Sequence, residues 1–148
     1  MNITYKKANI EDIEPIYEFC KQLIQDYERL DLIDYPRVMK WIRNKIEHSI
    51  NEYTVIYVEE QKAGYYHFYK NEDGHFEIDD LYILPKFQNQ GIGSQVIKAC
   101  CETVNDPVML YVFIKNKRAV SLYERLGFEI VETIGDSRYI MRNENRKY

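Results

Sequence analysis

Glu77-Ile-Asp-Asp-Leu-Tyr-Ile-Leu-Pro-Lys-Phe-Gln-Asn-Gln-Gly-Ile-Gly93 joins a strand-like run, closed by Pro85, to a glycine-rich turn. Downstream, Val96, Ile97, Cys100 and Val104 recur at helical spacing, so the turn lies between a strand and a helix. Main-chain N–H groups and the positive end of the helix converge at such a junction, which makes it a place for an anion. Glycine suits positions 91 and 93 because a side chain there would hold a phosphate away from the main chain. Taken alone the signal is weak, since an ordinary strand-to-helix turn looks the same.

Two better-known phosphate motifs are excluded. A dinucleotide fingerprint wants a third glycine where Val96 stands, and a P-loop wants Gly-Lys-Ser or Gly-Lys-Thr, whereas Gly93 precedes Ser94-Gln95. Without that lysine and a magnesium ligand, the turn suits a diphosphate that is held and not cleaved, and coenzyme A carries one.

Upstream, Ile3 to Lys7 predicts a strand. Ile13, Ile16, Tyr17, Cys20, Leu23, Ile24 and Tyr27 then predict an amphipathic helix capped at Asp12, with Pro15 harmless in its first turn. A polar turn over Asp31 to Pro36 leads to a second helix marked by Val38, Ile42, Ile46 and Ile50. Tyr53–Glu59 and Lys62–Lys70, split at Glu60-Gln61, read as an antiparallel hairpin, and a turn at Asn71–Gly74 leads into the strand Phe76–Leu84. Beyond the glycine turn and its helix, Val108–Ile114 predicts a strand. A helix follows, capped by Asn116, striped by Ala119, Leu122 and Leu126, and ended by Gly127. Phe128–Ile134 and Ser137–Met141 form a closing hairpin, and the polar tail 143–148 is expected to fray. The order β-α-α-β-β-β-α-β-α-β-β implies an α/β fold with a mixed sheet and helices on both faces.

Bulk properties narrow the function. With 148 residues, 45% of them hydrophobic, the chain suits a single domain over 1–148. A net charge of −4 speaks against nucleic acid, which demands excess Lys and Arg. The absence of a membrane-length apolar run predicts a cytoplasmic protein. Cys20, Cys100 and Cys101 are an odd set, read as buried small hydrophobes, and His48, His67 and His75 have no metal-ligand spacing, so no metal is expected.

The quoted stretch resembles the fourth strand and Gln/Arg-x-x-Gly-x-Gly loop of the GNAT superfamily of acetyl-CoA-dependent N-acetyltransferases. Asn116, Ala119 and Ser121-Leu-Tyr-Glu-Arg-Leu-Gly-Phe128 are similar to that family's fifth strand and fourth helix, in family order and spacing. The first two helices match only in type. The resemblance implies a mostly antiparallel seven-stranded sheet, splayed between its fourth and fifth strands, with four helices. It implies acetyl transfer from acetyl-CoA to a primary amine by direct attack in a ternary complex, and allows a homodimer. The diphosphate would rest on Asn89, Gln90, Gly91, Ile92, Gly93 and Ser94, with Gln88 at the loop's start. The pantetheine would pair with the main chain of Tyr82, Ile83 and Leu84, and an N–H near Ile83 would polarise the thioester. Asn116 and Ala119 would face the pantetheine, although capping explains Asn116 equally well.

Tyr123 falls at the family's general-acid position, since a phenol stays protonated at neutral pH and can return a proton to a thiolate; the plain alternative is packing under the sheet. Glu77 matches the position of a general base in some members, with Asp79 a second carboxylate and Asp80 on the opposite strand face by alternation; the alternative is a solvated strand end. Tyr27, Asp31, Asp34, Tyr35 and Trp41 would suit a cationic amine, or else form a solvated turn over a core Trp. Polyamine, amino acid, aminoglycoside and protein N-terminus all remain open as acceptors. The rival readings are a non-catalytic CoA-binding sensor or assembly module and an unrelated α/β binding domain.

Overall fold

The computed structural model describes residues 1–147. Its strands are β1 (Ile3–Lys7), β2 (Tyr53–Val58), β3 (Gln61–Lys70), β4 (Phe76–Ile83), β5 (Val108–Phe113), β6 (Glu129–Ile134) and β7 (Arg138–Asn143). Its helices are α1 (Ile13–Tyr27), α2 (Tyr35–Ser49), α3 (Ile92–Glu102) and α4 (Lys117–Arg125), with short 3-10 turns between elements. The element order is the one predicted.

The helix starts show why. α1 begins after Asp12 as expected, but that side chain makes no cap bond to it; a 3-10 turn precedes, opened by Asn9, whose side chain accepts from Glu11 N–H at 3.0 Å while the Asp12 carboxylate accepts from Asn9 N–H at 2.9 Å. That carboxylate also takes Lys62 at 2.9 Å, so it is spent outside α1. Asp34 caps α2 through Arg37 N–H, which draws Pro36, read as turn, into the first helical turn. Met39, Ile42 and Ile46 face the core, but Trp41 is 64% exposed and is no core residue.

The sheet runs β1-β2-β3-β4-β5-β7-β6 and is antiparallel except for β4 beside β5. That parallel pair is joined only at Phe76↔Val108 and Glu77↔Met109, after which the strands part. α1 and α2 cover one face, burying Ile16, Cys20, Ile42 and Ile46 against Tyr53, Val55 and Tyr65. α3 and α4 cover the other, burying Val96, Ile97, Cys100 and Val120 against Ile56, Ile78, Val108 and Leu110. All three cysteines are buried and free.

Two local features depart from the expected pattern. Tyr65 pairs with Tyr82 and His67 with Asp79, so Tyr66 alone opposes Asp80 and Leu81: a β-bulge, with Asp80 at φ +50°. The bulge cancels alternation and turns Asp79 and Asp80 to the same face. Gly64 makes room beside it, since a Cβ there would lie 2.1 Å from the Tyr82 carbonyl oxygen. The tail is also tied down where fraying was expected. β7 continues to Asn143, and buried Asn145 places Nδ2 2.9 Å from the carbonyl oxygens of Cys101, which the end of α3 leaves without a helical donor, and of Val104 and Asp106 in the loop beyond. Tyr148 lies outside the described residues.

Candidate active site

Where β4 and β5 part, a cavity of about 660 Å³ runs between the two faces of the sheet. On the α3 side its wall is the glycine turn. Gly91 caps α3 at φ +79° with no side chain to bond the helix's first amides, so the N–H groups of Ile92, Gly93 and Ser94 have no helical partner. A Cβ at Gly91 would meet no protein atom within 4 Å, so what the chain itself asks of this glycine is the left-handed backbone. Leu84 N–H donates to Ala63 on β3, so by alternation the polar groups of Ile83 point toward the gap; its carbonyl accepts from Gln88 Nε2 at 2.8 Å.

Asn116 accepts from Ala119 N–H at 3.4 Å and starts α4 beside the gap. In that helix Val120 is the buried residue, while Ala119, Leu122 and Leu126 are only half-buried against the core. Tyr123 lines the cavity and packs on Phe128, with ring centroids 6.0 Å apart. Burial, reinforced by the charge of Asp79, pushes its phenol up to about 12, so it is a proton donor at neutral pH.

The opposite wall carries the bulge. Lys45 of α2 donates to Asp79 at 2.6 Å and lies 3.4 Å from Asp80. Asp80 also accepts from Tyr53 Oη at 2.5 Å and Cys20 Sγ at 3.4 Å. Burial and then the Asp80 charge raise Asp79 above the usual carboxylate range, with Lys45 pulling the other way. Burial pulls Lys45 down, yet Asp80 and Asp79 outweigh it and keep the ammonium charged. The cluster therefore presents Asp79, Asp80 and the Lys45 ammonium to the cavity.

The wall thus unites Tyr82, Ile83, Gln88, Asn89, Gly91 to Ser94, Asn116, Ala119, Tyr123 and Asp79, whereas Leu84, Gln90 and Glu77 are outside it. Glu77 is 6% exposed at the zipped end of β4, accepting from Asn71 Nδ2 at 3.1 Å; burial raises its pKa, against the lowering effect of Asn71. Of the acceptor-side candidates, Tyr27 and Trp41 line the cavity. Asp31 instead pairs with Arg29 at 2.8 Å, Asp34 caps α2, and the Tyr35 hydroxyl accepts from Gln25. Lys45, Tyr111, Arg118, Arg125 and Arg138 also line the wall and were not singled out from sequence, where nothing distinguishes them from surface residues. Among the described residues no cluster of three or more His, Cys, Asp or Glu could hold a metal, and no helix is long and apolar enough to cross a membrane.

A seven-stranded mixed sheet that parts at its one parallel pair, with free helix amides at the opening, defines the GNAT fold. The chain belongs to the acetyltransferase (GNAT) family, whose model matches residues 12–128. Over 68 residues it is 38% identical to the thialysine N-epsilon-acetyltransferase of Bos taurus, covering 43% of this chain and 40% of that one; the chain thus spans less than half the length of that relative. Over 140 residues it is 24% identical to the acetyltransferase PseH of Campylobacter jejuni, covering 92% and 88% of the two chains. The PaiA N-acetyltransferase of Thermoplasma acidophilum, solved in complex with coenzyme A, has the same fold at a TM-score of 0.67, with 21% identity, over 97% of this chain and 99% of that one.

Proposed function

We propose that this protein transfers an acetyl group from acetyl-CoA to a primary amine of a small molecule or peptide, by direct attack while both are bound. The observation that carries this reading is the single cavity that leads from the bare N-terminus of α3, past Tyr123, to Asp79 and Lys45. A held diphosphate fits the first, because the amides of Ile92, Gly93 and Ser94 lack helical partners and Arg118 and Arg125 stand on neighbouring α4. The open edge of β4 at Tyr82–Ile83 suits an amide-bearing arm lying alongside as an extra strand. The CoA-bound relative and the thialysine-acetylating relative support the same donor and a small amine acceptor.

Acetyl-CoA supplies an activated acyl group as its thioester. Ile83 N–H faces the gap and is placed to stabilise negative charge growing on the carbonyl oxygen. Asp79, the sequence-derived carboxylate in the wall, holds the amine and takes its proton directly or through water as the N–C bond forms. Tyr123 gives its proton to the sulfur as the C–S bond breaks. Glu77, buried away from the wall, does not touch the reacting groups.

Tyr123→Phe tests the assignment. It should bind acetyl-CoA as the wild type does, by calorimetry, while thiol release with an accepted amine falls about 10²- to 10³-fold. Unchanged turnover would reject Tyr123 as the acid. Saturable CoA binding by the wild type with no turnover on any of a broad amine panel would favour the non-catalytic module.

A further inference from the structure

Four cationic side chains line the cavity: Lys45, Arg118, Arg125 and Arg138. Lys45 is matched by Asp79 and Asp80, and Arg118 and Arg125 stand on α4, on the side of the glycine turn. Arg138 is different. It opens β7 directly opposite Phe113, and residues so paired share a sheet face; Phe113 stacks on Tyr27 of α1, so this is the face that α1 and α2 only partly cover. Arg138 is half-buried and lies 5.4 Å over the ring of Tyr111, another cavity residue. Among the described residues no carboxylate lies within 4.0 Å of it, in contrast to Arg142 four residues on, whose Nε lies 3.1 Å from Glu144. A half-buried guanidinium over an aromatic ring leaves its N–H fork open to an oxyanion that the fold does not supply.

We propose that Arg138 binds a carboxylate on the acceptor, so that the substrate class is an amino acid whose reacting amine is separated from its carboxylate by several bonds. The proposal rests on the transferase reading above. The separation follows from register. Asp79 lies two residues beyond Glu77 on β4, and Phe113, level with Arg138, four beyond Met109 on β5. At about 3.3 Å per residue the two levels differ by about 7 Å along the strands, besides two strand spacings of about 4.8 Å each and the splay. These are main-chain levels, and the Arg138 guanidinium leans back over Tyr111, which is level with Asp79; an amine at the end of an alkyl chain matches the remaining separation better than an α-amino group beside its own carboxylate.

The probes are 6-aminohexanoate and lysine, which carry the carboxylate, cadaverine, which does not, and 5-aminopentyl phosphate. In thiol-release assays with acetyl-CoA, kcat/KM for the two carboxylates should exceed that for cadaverine at least tenfold. Arg138→Met should collapse that ratio toward one, through an increase of about 10- to 100-fold in KM and not through kcat, with Arg138→Lys recovering part. In parallel, 6-aminohexanoate should bind the CoA-saturated wild type at least tenfold tighter than CoA-saturated Arg138→Met by calorimetry, whatever the turnover. A ratio unmoved by the substitution, or equal binding by the two proteins, overturns the proposal, as does preference for the phosphate. Intact, Arg138-dependent binding without turnover would count against the transferase reading alone.

Discussion

At the scale of single residues, the wall separates carboxylates that look alike in sequence. Glu77 and Asp79 are two apart on one strand, yet Glu77 is sealed beside β5 while Asp79 reaches the cavity. Burial raises the Glu77 pKa, so the folded state holds its proton more tightly than the unfolded chain does. Stability from this group is therefore fully present below the unfolded carboxylate value and is lost as pH rises through the folded one. Glu77→Gln should accordingly melt above the wild type at pH 7, with the gap closing toward about pH 4. A gap independent of pH in a melting series would show that ionisation of Glu77 is not what costs stability. The sequence singled out Tyr123, Asp79 and the glycine turn, all of which line the cavity, because each sits in a short, ordered stretch. It did not reveal Lys45, whose partner Asp79 is 34 positions away, or Arg138, whose place depends on two strand pairings.

At the scale of elements, periodicity predicted each helix and strand to within a few residues, but not what happens between strands. The Asp80 bulge has no clear local signature: Asp tolerates φ +50° better than most residues, but nothing adjacent in sequence calls for it, and it is adopted because β3 and β4 are pinned on both sides of it. The Glu59-Glu60 turn, with both residues at positive φ and no glycine, hid its register in the same way. The tail was read as fraying because Asn145 looks like any polar residue until α3 ends beside it. Gly64 makes the dependence testable. A Cβ there strikes backbone and not a pliable side chain, so Gly64→Ala must push β4 outward at Tyr82 and Ile83. The expected loss is about 3 kcal/mol, lowering Tm by about 6–12 °C, together with weaker coenzyme A binding. Unimpaired binding and melting would mean that the β3–β4 contact is slack.

At the scale of the whole molecule, two apolar cores on opposite faces share one sheet, and the join between β4 and β5 is its narrowest point: two residue pairs, against six between β5 and β7. A ligand lodged in the gap touches both parts of the sheet. Coenzyme A at 100 times its dissociation constant should add about 2.7 kcal/mol and raise Tm by about 5–10 °C, as differential scanning fluorimetry would register. An unchanged melting point at saturation would contradict binding across the opening.

That narrow join also bears on motion. β1 through β4 form one plank and β5 through β7 another, with Phe76, Glu77, Val108 and Met109 as the pivot pins. Small rotations about these pins would alter the width of the mouth far from them while leaving the strand pairings within each plank intact, opposed only by the packing that α3 and α4 share across both. Amide deuteration should be fastest along the facing rims past Glu77 and Met109 and slow sharply once a guest wedges the planks at one angle.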